Sequence, residues 1–178
     1  RELEKLLEDA RRVVTTLTRA SEKLNEDVKK VTEEHKDRIR RLLDTVRRIV
    51  EEVDKRTKGK GDKEKLLREL EKAIRDVERK LEELLKTNEE LLREVKKKHD
   101  ELLRTITEVM KEIAERLKKT EEARKVKEEL DRLLEDLRKK LEDSKRHLDE
   151  LHRELEETVR EVSERLKELL DAVRRRAK

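Results

Sequence analysis

The chain has 178 residues, 56 % of them charged and 31 % hydrophobic, and its 52 basic residues face 48 acidic ones for a formal net charge of +4. It contains no Phe, Tyr, Trp, Cys, Pro or Gln. Without cysteine there is no disulfide, thiolate nucleophile or Cys-based metal site, and with no apolar run longer than two residues neither a membrane span nor a signal peptide is expected.

So much charge would suit a disordered chain, but the apolar residues are spaced for one helical face. A Glu, Lys, Leu and Arg-rich chain with that period reads as coiled coil or long helix. The first stripe runs Leu3, Leu7, Ala10, Val14, Leu17, Ser21, Leu24, Val28, Val31, His35, Ile39, Leu42, Val46, Ile49, Val53. Steps of three and four alternate except at 31–35–39, where two fours follow each other. Leu6, Val13, Leu43 and Val50 widen the face to roughly 120–140°, which suits a bundle core better than a two-position seam. A helix over about 2–58 is expected. "KGKGD" (58–62) then supplies Gly59 for a left-handed C-cap and Asp62 for the next N-cap.

The second helix is expected over about 62–118, with the stripe Leu67, Leu70, Ile74, Val77, Leu81, Leu85, Asn88, Leu92, Val95, His99, Leu103, Ile106, Met110, Ile113, Leu117. A break near "KKTEEA" (118–123) follows from phase. Leu117 and Val126 are nine residues apart, about 180° around a helix, so one straight helix cannot keep both on its core face. Thr120 is the candidate N-cap of a third helix over about 120–177, carrying Ala123, Leu130, Leu134, Leu137, Leu141, Ser144, Leu148, Leu151, Leu155, Val159, Val162, Leu166, Leu169 and Val173.

Register links the three. Adding 120 to the first stripe reproduces the third (3 to 123, 28 to 148, 53 to 173), and subtracting it from 120 reproduces the second (3 to 117, 14 to 106, 53 to 67). The fold class this predicts is all-α: an up-down-up three-helix bundle of long, nearly straight, coiled-coil-like helices, each about 57 residues and about 85 Å long, forming a single domain over 1–178.

The same map places the polar insertions. His35 and Thr32 share a height with Asn88 and His152, and Ser21 and Asn25 share one with His99 and Ser144. Buried polar groups are costly unless paired, and these residue types pair as donors and acceptors. Two such layers would penalise axial slips that an all-aliphatic core tolerates. The rival reading is a pH switch, because a buried neutral imidazole must charge as pH falls. Thr15, Thr16, Thr18, Thr105 and Thr107 cluster near one height, as a third layer or as its edge.

No metal site is expected from the histidines. The height of His99 is some 14 residues from that of His35, about 20 Å, and His147 and His152 are five apart, the wrong spacing for one helix face. Carboxylate pairs occur at every spacing and carry no signal. "KGKGDKEK" lacks the phosphate-loop pattern. "KKK" (96–98) and "RRR" (174–176) are short, set among Glu, and lack aromatic stacking partners, so no nucleic-acid binding is expected. No catalytic constellation, cofactor or small-molecule substrate is expected either.

Equal helices, a Lys/Gly linker, missing residue types, dipole-matched ends and His/Asn/Ser/Thr layers at matched heights together resemble de novo designed helical bundles with buried hydrogen-bond networks, including designed helical heterodimer components. Spectrin-type repeats, the natural alternative, would be expected to show core aromatics. The resemblance implies a soluble structural or assembly protein with no natural activity or localisation, cytoplasmic in a recombinant host. No partner is required, though the wider stripes of helices 1 and 2, with Ala20 and Ala114, leave open a groove for a partner helix or a second copy.

Overall fold

The computed structural model describes residues 2–57, 63–117 and 121–177. They form three helices: α1 (Glu2–Thr57), α2 (Lys63–Arg116) and α3 (Glu121–Ala177). Their lengths of 56, 54 and 57 residues match the near-equal helices expected. Strong helix formers fill them, and no proline interrupts them. Charge fits the helix dipoles: Glu2 and Glu4 open α1, Glu121 and Glu122 open α3, and Lys55, Arg56 and Arg174 to Arg176 sit in last turns. The expected caps Gly59, Asp62 and Thr120 lie outside the described residues. α2 ends in a tightened turn, with the Leu117 amide donating to the Ala114 carbonyl at 3.3 Å, and α3 starts afresh at Glu121.

The chain divides into two compact units, Arg1–Lys29 with Leu91–Glu150, and Lys30–Glu90 with Leu151–Lys178. Each holds a segment of all three helices around its own aliphatic core. The first is centred on Ala10, Ile106, Met110, Leu130, Leu137 and Leu141. Arg11 reaches Glu129 at 2.8 Å and, further along, Ser21 shares a cleft with Leu141 and Ser144, so α1 and α3 run parallel there. Lys96 pairs with Asp149 and Asp100 with Lys145, rising on α2 while falling on α3, so α2 is antiparallel.

The second unit is centred on residues such as Ile39, Val46, Leu70, Leu81, Leu155 and Leu166. Lys36 meets Glu154 at 3.0 Å and Arg176 meets Asp54 at 2.7 Å, again parallel for α1 and α3. Arg174 reaches Glu71 at 2.5 Å near the start of α2. The hydrogen bond from Arg174, against some desolvation, holds the Glu71 carboxyl below its ordinary range. Such pairs at the rim, screened by water, add little to stability. Their value here is to report register: Arg11–Glu129 and Lys36–Glu154 each join positions 118 apart, close to the offset of 120 between stripes. The arrangement is up-down-up within each unit.

Three core positions differ from the stripe read in sequence, one being Val50, which is buried where Ile49 is half-buried. Thr32 is fully buried and Val31 only half-buried, and Leu84 is buried where Leu85 is half-buried. With Thr32 in place the core of α1 runs Val28, Thr32, His35, Ile39, steps of four, three and four. The apparent slip at 31–35–39 is therefore absent from the packed core. Among the described residues no large hydrophobic side chain is exposed.

Leu155 is 0 % exposed in the core of the second unit. Leu155→Ala is expected to lower unfolding free energy by about 2–5 kcal/mol in chemical denaturation, because helix packing at this depth cannot collapse onto the lost volume.

Candidate functional site

The polar residues inside these cores are the candidate site. In the second unit, one each from α1, α2 and α3 join. His35 Nδ1 lies 3.3 Å from Asn88 Oδ1, and Asn88 Nδ2 lies 2.9 Å from His152 Nδ1. His35 Nδ1–H thus donates to the amide oxygen, and the amide N–H donates to His152 Nδ1. His35 is 8 % and Asn88 0 % exposed. His152 Nε2 faces outward along the chain of contacts, 3.0 Å from Glu156 Oε1 and 3.5 Å from Glu89 Oε1. These approaches are close, yet neither has hydrogen-bond angles, and Nε2 is buried without a partner. Thr32 lies fully buried in the same unit, but its hydroxyl makes no hydrogen bond. It does not join the network expected of it.

In the first unit the layer is smaller. Ser21 Oγ lies 3.2 Å from His99 Nδ1, and His99 Nε2 lies 3.2 Å from Asn25 Oδ1. Ser21 O–H donates to Nδ1 and Nε2–H donates to Asn25, so the neutral imidazole is satisfied at both nitrogens. This layer spans α1 and α2. Ser144 of α3 is half-buried and shares a cleft wall with Ser21, without a hydrogen bond to the group. A serine, histidine and amide in line have the order of a nucleophile, base and orienting group. Burial decides against that use: Ser21 is 4 % and His99 0 % exposed, so no substrate carbonyl reaches Oγ.

Burial also pushes the His99 pKa below the ordinary imidazole value. The nearby Lys145 charge pushes the same way, and Asp100 opposes it. The threonine cluster forms no third layer. Thr16, Thr18, Thr105 and Thr107 each donate to the carbonyl four residues earlier in their own helix, and Thr15 is exposed. His147 is 52 % exposed and lies 3.9 Å from Glu150, as a solvated flank position should.

Sequence reasoning missed Glu89 and Glu156. With acids at every spacing they carry no signal of their own. The signal available was contextual: Glu89 follows Asn88 directly, and Glu156 lies one helical turn after His152.

His99 is neutral in the folded chain at pH values where the unfolded chain is protonated. Its contribution is thus fully present above about pH 6.5 and is lost as pH falls below that value toward the lowered folded-state pKa. Denaturation at about pH 7 and about pH 5 should show a smaller acid loss for His99→Gln than for the parent. Equal losses would place the pH dependence elsewhere. Thr32→Val replaces an orphaned hydroxyl with a methyl group and should raise stability by about 1 kcal/mol in the same assay.

No family model and no curated protein matches the chain. Among solved structures it is similar to one described as a "Computationally designed three helix bundle", at 23 % sequence identity and a TM-score of 0.60, over 99 % of this chain and 83 % of that one. At that identity the likeness speaks for fold: this chain, like that structure, is a three-helix bundle.

Proposed function

We propose that this is a de novo designed structural protein, without natural enzymatic activity, substrate or cofactor, whose buried polar layers set the register of three helices. The observation that carries this reading is the Asn88 bridge. One fully buried amide links His35 and His152 across all three helices, inside a core that is aliphatic apart from these residues and Thr32. The composition, the near-equal helices and the fold shared with a computationally designed bundle support the designed origin. Each helix contributes an unbroken segment to both units, which supports treating 1–178 as one three-helix domain.

A second reading, binding of a partner helix or a second copy, draws on a cleft between α1 and α2 in each unit. One is bordered by Ala20, Leu24 and Leu102, the other by Leu42 and Leu84. The lack of exposed large hydrophobics among the described residues favours the self-contained bundle. A pH-responsive bundle is the third reading, carried by the full burial of His99 and its lowered pKa.

Asn88→Leu should cost about 1–3 kcal/mol, because it strands two imidazole nitrogens. The triple variant His35→Leu, Asn88→Leu, His152→Leu should recover most or all of that loss. A single variant as stable as the parent would sink the register reading. Light scattering should give the mass of one chain, and a stable dimer would favour the assembly reading instead.

A further inference from the structure

We propose that the His152 end of the second unit's polar layer is a divalent-metal site of the zinc class, with His152 Nε2, Glu89 and Glu156 as ligands and Asn88 as the residue that sets the imidazole tautomer. The three donor groups lie within 4.8 Å of one another. Nε2 stands 3.0 Å from one carboxylate and 3.5 Å from the other. Donors about 2.0–2.2 Å from a tetrahedral zinc ion sit about 3.3–3.6 Å apart, so small side-chain adjustments suffice. One imidazole and two carboxylates are a donor set that zinc accepts, whereas calcium and magnesium favour all-oxygen shells.

Two features separate this group from ordinary surface acids. First, Nε2 is buried and has no hydrogen-bond partner, although two carboxylates approach it. A cation between them gives Nε2 a partner and offsets the repulsion of the two anions. The carboxylate side is open to water: Glu89 is 49 % and Glu156 44 % exposed, against 12 % for His152, so an ion has an entry path and water can complete its shell.

Second, the ring is held from behind. A metal on Nε2 requires the proton on Nδ1, and a ligating histidine usually donates that N–H to a fixed acceptor. The Asn88 amide provides one by turning end for end. His152 Nδ1–H then donates to Asn88 Oδ1, and Asn88 Nδ2–H donates to His35 Nδ1. The two contacts of 2.9 and 3.3 Å remain with their directions exchanged. The proton that leaves His152 Nε2 is replaced from solvent at Nδ1, and His35 moves its own from Nδ1 to Nε2. Metal binding at the surface thereby reverses a buried hydrogen-bond chain.

The test is calorimetric titration of the full chain with zinc chloride at about pH 7.5, where histidines are mostly neutral. One saturable event per chain is expected. Glu89→Gln and Glu156→Gln alter solvent-facing groups and should leave the fold intact while weakening binding about tenfold or more. Nitrogen NMR of the imidazoles should show His152 changing from the Nε2–H to the Nδ1–H tautomer and His35 changing from Nδ1–H to Nε2–H. The exposed His147 should not change. Absence of saturable binding, or binding that both Glu variants retain in full, would overturn the site. Zinc at His152 with His35 unchanged would overturn the role given to Asn88.

Discussion

The Asn88 amide, fully buried between His35 and His152, is the constraint on which the register of the second unit depends. Aliphatic layers repeat along each helix at nearly equal steps, so a slip by one heptad puts Leu and Val opposite Leu and Val again. Hydrophobic burial is non-directional and discriminates weakly between those states. A buried amide does discriminate. Slipped, it keeps the cost of leaving water and loses both partners. Because His35, Asn88 and His152 come from three different helices, any pair that slides breaks at least one contact.

The first unit uses a different construction. Ser21, His99 and Asn25 tie α1 to α2, while α3 supplies aliphatic packing and the Lys145 charge beside the imidazole. There α3 is placed by other means: Leu130, Leu137 and Leu141 in the core, and ion pairs such as Arg11–Glu129 at the rim. Full burial, with the Lys145 charge nearby, opposes protonation of His99. His152 borders the carboxylates of Glu89 and Glu156 instead. The same residue type thus has different charged neighbours in the two units.

Helix number and order were legible, because a continuous apolar stripe, a Gly-bearing linker and a phase break at 117–126 are backbone-scale signals. The heights of the polar residues were legible to within a turn. Ser21 and His99 meet where the stripe arithmetic puts them, and His35 finds Asn88 three residues from its nominal mirror at 85, a gap its long side chain spans. Side-chain orientation was not legible. Thr32 and Val31 are adjacent candidates for one core position, and only packing shows that the threonine is buried with its hydroxyl unpaired. Threonines near one height looked like a layer, but their hydroxyls bond back to their own helices. Glu89 and Glu156 could not stand out in a chain with 48 acids until an orphaned imidazole nitrogen gave them a context.

The central claim is that the polar layers, rather than the aliphatic core, exclude slipped registers. Pulsed electron-spin distance measurement tests it most directly, since the chain has no native cysteine to interfere with labels at Arg48→Cys on α1 and Lys72→Cys on α2. The parent background should give one narrow distance distribution. A background with Ser21, Asn25, His35, Asn88, His99 and His152 all replaced by aliphatic residues should stay folded but give a broadened distribution with a second population, a heptad slip moving one helix about 10 Å along the other. The same single narrow distribution in both backgrounds would contradict the account.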